Sequence, residues 1–149
     1  MNRTTWKTLH PIVACAAMGF IACFWFSSLL SELFASHDTV LLVKQSILYA
    51  FCLFIPCMAL TGISGAKLAG KSKNPLIVAK RRRMPLIALN GIVILIPCAV
   101  FLFIKARAGE FDGVFYSVQI LELIAGGVNF CLMAKNARDA RQLFRKKSA

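Results

Sequence analysis

Four stretches of this chain are each apolar for about the 20 residues that a helix needs to cross a bilayer, and polar or basic segments separate them. That constraint leaves few folds, because a backbone placed in lipid must satisfy its own hydrogen bonds. With 149 residues, 58% of them hydrophobic, and a mean hydropathy of +0.70, no length remains for a separate soluble domain. The sequence predicts an all-α membrane protein, a four-span transmembrane helical bundle forming a single domain over 1–149. The expected spans are about 10–33, 40–63, 84–104 and 112–134, joined by short loops apart from a basic connection at 66–83. The basic tail, 136–149, reads as a short helix lying on the membrane surface. The first apolar run, Pro11 to Leu30, exceeds the core of a secretory signal and is expected to be retained.

Charge asymmetry orients the bundle. Fifteen of the eighteen Lys and Arg residues lie in the leader, the 66–83 connection and the tail together with Lys135 just before it. Only Lys44, Lys105 and Arg107 fall on the other side. The positive-inside rule then predicts both termini in the cytoplasm, and an inner membrane as the location. The net charge of +12 is thus topological, and no nucleic-acid motif accompanies it. The run Lys80, Arg81, Arg82 and Arg83 is suited to anionic lipid headgroups.

Small residues in span one, Cys15, Gly19, Cys23, Ser27 and Ser31, recur every four positions and predict a close helix crossing, as in an oligomer or a subunit of a membrane complex. The six cysteines all lie in apolar runs without a CxxC pair, so they read as packing residues. Pro56 and Pro97 are expected to kink spans two and three.

The candidate sites follow from polar residues inside those runs. Glu122 is the one carboxylate within an apolar stretch, where a charge costs about 2–4 kcal/mol and marks a site. Asp112, Phe115, Gln119, Glu122, Gly126 and Asn129 follow at steps of three and four, forming one helix face. Opposite them, Lys44, Gln45 and Tyr49 sit in the first turns of span two. The expectation is an intramembrane cluster of Lys44, Gln45, Tyr49, Gln119 and Glu122. An outer acidic rim gathers Glu32, His37, Asp38, Asp112 and Tyr116, with Glu110 nearby. Asn90 and Asn129 share a depth and are expected to bond across helices. His10 and His37 are the candidate ligands for a b-type haem, although 27 helical residues, about 40 Å, keep them from clamping one haem in a single protomer.

No HExxH, P-loop, GxSxG or dinucleotide fingerprint occurs. Three functions stay open on the sequence. The first is a non-enzymatic accessory or lipid- and partner-binding module. The second is a small proton- or ion-coupled transporter using Glu122 and Lys44. The third is a haem or quinone electron carrier using His10 or His37.

Overall fold

The structure, a computed structural model, describes residues 2–148. Its helices are α1 (Arg3–Phe34), α2 (His37–Ala69), α3 (Pro75–Asn90), α4 (Ile96–Arg107) and α5 (Gly113–Ser148). A five-residue π segment, Gly91–Leu95, joins α3 to α4, so Pro75–Arg107 is one rod of 33 residues. Four helical lengths are therefore long and apolar enough to cross a membrane, as the sequence predicts.

Each is longer than the expected span, and for local reasons. At α3 the Asn74 side chain accepts from the Leu76 N–H at 3.0 Å and Pro75 opens the first turn, the combination that starts helices efficiently. Most of the basic 66–83 connection is consequently helical, and only the turn around Gly70 (φ 49°) and residues 71–74 break it. The tail likewise continues α5 instead of forming a separate surface helix. Asn136 and Asp139 are buried there against α3.

Neighbouring helices run in opposite directions. His10, early in α1, meets Ser64, late in α2, while Ser28, late in α1, meets Lys44, early in α2. The rod and α5 are paired the same way through Arg83 with Asp139 and Asn90 with Asn129. Pro97 lacks an N–H, and the backbone ahead of it relaxes into the π segment, where the Ile96 N–H reaches the Gly91 carbonyl. Around Pro56, α2 is continuous.

The distribution of side chains is inverted relative to a water-soluble bundle. Ser28, Ser31, Lys44, Thr61, Ser64, Gln119 and Asn129 are buried, while large apolar groups such as Leu53, Leu89, Ile92 and Ile124 face outward. Lipid rewards that arrangement, since apolar groups gain nothing by hiding from it and polar groups must find one another. Two apolar clusters fill the remaining interior, one around Ala17, Ile21, Ile87 and Met133, the other around Val40, Leu102, Ala106 and Phe115. Within the chain most of the small row of α1 stays out of the crossing, Ser31 being its one buried member. Cys15, Gly19 and Cys23 are exposed, and the face that packs carries Val13, Ala17, Ile21 and Ser28.

Candidate functional site

The predicted face of α5 is the buried one, and Phe115, Gln119, Gly126 and Asn129 all point inward. Opposite it, α2 begins at His37, three residues before the expected start, and carries Lys44 in its interior. Lys44 is 1% exposed and its Nζ donates to Glu122 Oε2 at 2.9 Å. It also donates to Ser28 Oγ at 3.1 Å and to the Gln119 carbonyl oxygen. An ammonium has three N–H donors, so Lys44 is saturated. Gln119 Nε2 donates in turn to Glu122 Oε2 at 3.3 Å, closing the cluster.

Gln45 and Tyr49 do not join it. Gln45 donates to the Tyr49 hydroxyl at 3.0 Å on the outer surface of α2, where Tyr49 is 68% exposed. The reason is angular. Consecutive helical residues point about 100° apart, so Lys44 turned inward carries Gln45 outward.

The acidic rim does not converge either. Lys105 gathers Glu110 at 2.7 Å and Asp112 at 2.6 Å, and Asp112 also accepts the Phe115 N–H at 2.9 Å. The Lys105 ammonium, with that N–H, holds the Asp112 carboxyl below the usual carboxylate range. His37 stacks on Phe111 at 3.9 Å, Tyr116 meets Phe115 edge-on, and Asp38 is exposed in the first turn of α2. Glu32 lies between the rim and the Lys44 cluster, within charge range of both His37 and Lys44. Its Oε1 is enclosed without a hydrogen-bond partner among the described residues, one helical turn beyond the Ser28 that contacts Lys44. Among the described residues no group of three His, Cys, Asp or Glu side chains assembles for a metal ion.

Asn90 and Asn129 do meet. Asn90 Nδ2 donates to Asn129 Oδ1 and to the Ala125 carbonyl, both at 2.9 Å, and Asn129 Nδ2 donates to the Ile87 carbonyl at 3.3 Å. The glycines beside them admit a side chain from another helix. A Cβ on Gly126 would stand 3.2 Å from the Trp25 indole, whose Nε1 donates to the Leu123 carbonyl at 2.9 Å.

At the basic end, His10 lies between α2 and α3. Ser64 Oγ donates to the Leu60 carbonyl, so it accepts from His10 Nδ1 at 2.8 Å, and Lys80 Nζ donates to His10 Nε2 at 3.1 Å. The imidazole lone pair is thus committed to Lys80, an arrangement that does not suit a haem ligand. Of the basic run, Arg83 clamps Asp139 at 2.6 Å and Asn136 at 3.1 Å, Arg81 donates to the Gly70 carbonyl, and Arg82 is exposed.

Between α2 and the rod lies a cleft of about 640 Å³, floored by Trp25 of α1 and Leu123 of α5. Lys80 and Arg81 line one part of it, Ser28 and Glu122 another. The sequence reading did not find Ser28, Trp25, the His10–Ser64–Lys80 relay or Asp139. Only the last carried a signal, since Asn129, Asn136 and Asp139 extend the α5 stripe at steps of seven and three. Comparison with known proteins finds no matching family, curated relative or solved structure. The geometry alone carries the reading.

Proposed function

We propose that the chain is a non-enzymatic lipid- and partner-binding module of the cell's inner membrane, with both termini cytoplasmic, acting as a homo-oligomer or a subunit of a membrane complex. The observation that carries this reading is the unequal neutralisation of its two ends. At the end that gathers His10, Lys80 and Arg83, the cations greatly outnumber carboxylates, and among the described residues Asp139 forms its ion pair with Arg83. At the other end Lys105 is matched by two carboxylates. An uncompensated basic end is what the positive-inside rule retains in the cytoplasm and what an anionic leaflet attracts. The deep polar groups are occupied with one another, which gives them a fastening role between helices.

The test is reconstitution into bilayers of mixed anionic and zwitterionic phospholipid, with single cysteines introduced at Ser72 and Ser36 into a cysteine-free background. The expected result is labelling of Ser72→Cys from the cytoplasmic side only, and enrichment of anionic lipid that weakens when Lys71, Lys73 and Arg82 are changed to Gln. Cytoplasmic labelling of Ser36→Cys, or no lipid preference, overturns it.

One observation favours a second reading, proton- or ion-coupled transport through Glu122 and Lys44. The enclosed Glu32 Oε1, without a hydrogen-bond partner among the described residues and near a saturated ion pair, is a place for a proton. Proton flux in proteoliposomes that Glu32→Gln and Glu122→Gln abolish, with fold retained, would establish it. Flux unchanged in both folded variants would remove it.

A further inference from the structure

We infer that the cleft between α2 and the Pro75–Arg107 rod is a discrete site for one anionic phospholipid, with its phosphate at Lys80 and Arg81 and an acyl chain lying along the groove. The inference deepens the lipid-binding reading proposed above and rests on it.

The shape of the cleft follows from how the helices meet. α2 packs along α1 and against α4 but touches α3 little, so the two separate toward the basic end. Its walls are apolar: Phe54 and Ile55 on α2, Ile87 and Leu95 on the rod. Ile55 and Ile63 on one edge, with Leu86 and Ile92 along the other helix, are exposed, which leaves the groove open sideways to the membrane. On α2 the lining extends from Ile47 to Ala69, about 33 Å of helix, comparable with a hydrocarbon core of about 30 Å. A volume of about 640 Å³ lies in the range of small-molecule sites.

The mouth supplies the charge. Lys80 gives one N–H to His10 and Arg81 one to the Gly70 carbonyl, and among the described residues no carboxylate lies within ion-pair distance of either. The remaining donors match a phosphate, which an Arg fork grips in two places. A zwitterionic headgroup would bring its own cation to this cationic mouth, so an anionic headgroup is the one selected. Gly62 lines the groove with nothing within 4 Å of a built Cβ, so a larger side chain there narrows the channel without a clash.

The full-length protein supplies its own probe, because Trp25 floors the cleft. In a Trp6→Phe background, Trp25 fluorescence is measured in nanodiscs carrying brominated phosphatidylglycerol or brominated phosphatidylcholine of identical chains. The expected result is quenching by the anionic lipid at about tenfold lower mole fraction, equivalent to about 1.4 kcal/mol. Gly62→Leu should weaken quenching by both lipids, and Lys80→Gln/Arg81→Gln should remove the difference between them. If anionic lipid is still enriched through Lys71, Lys73 and Arg82 while Gly62→Leu changes nothing, the cleft site is wrong and the broader lipid reading stands. If neither lipid is preferred anywhere, both fall. If Gly62→Leu instead dissociates a dimer without altering quenching, the groove receives a second copy and the lipid proposal is overturned.

Discussion

At the scale of single residues, the carboxylates of Glu122 and Glu32 have opposite prospects. Glu122 is the partner of a fully enclosed ammonium, and removing either member leaves the other charged and unmatched in a low-dielectric interior. Glu122→Leu and Lys44→Met are each expected to destabilise the bundle by about 3–5 kcal/mol. The double variant Lys44→Met/Glu122→Leu should return most of that loss, since matched apolar groups escape the desolvation cost. Unfolding in mixed micelles across the four species checks this, and additive losses would mean the pair is not a unit. Glu32→Gln should behave differently. Its Oε1 has no donor to lose, so removal of the charge is expected to be neutral or to stabilise by about 1 kcal/mol, read as a rise in thermal midpoint.

At the scale of elements, the helices are held by a few polar stitches and one aromatic insertion. Asn129→Leu breaks two bonds between α3 and α5 and should cost about 1–2 kcal/mol. Gly126→Leu drives a side chain into the Trp25 indole, whereas Gly19→Leu on the exposed face of α1 meets nothing. Thermal unfolding should separate the two clearly, and equal midpoints would place Trp25 elsewhere. The α4–α5 turn carries a pH dependence. Asp112 titrates below the ordinary Asp value, so its contribution is complete above about pH 4 and is lost as pH falls through the depressed value. The midpoint should drop in acid for the wild type and less for Asp112→Asn. A larger drop in the variant would contradict the linkage. These elements also show how far local pattern reaches. The stripe on α5 was legible because 3.6-residue periodicity is a property of one helix, whereas the α1 row of small residues had the right spacing and yet faced outward at Cys15, Gly19 and Cys23. Spacing alone does not say which face finds a partner.

At the scale of the molecule, an inverted bundle with one heavily basic end is a fold that only a bilayer makes economical, and orientation should follow the charge. Changing Lys71, Lys73, Arg82 and Arg138 to Gln should increase the fraction of chains inserted in the opposite sense, measured by cysteine labelling from each side. An unchanged distribution would assign orientation to something other than basic residues. Hydropathy and charge are sums over neighbouring residues, so the sequence by itself determined four spans, the inward face of α5, and the unequal ends. Contacts between spans depend on how each helix is rotated and offset along its axis, which short turns and single-residue shifts decide. The rotation of α2 that turns Lys44 inward to Glu122 takes Gln45 and Tyr49 away, at a step of about 100° per residue. The saturation of Lys44 by Ser28, the His10–Lys80 relay and the cleft between α2 and α3 belong to the tertiary structure alone. Each is made where separate helices meet, and no one helix contains the information for it.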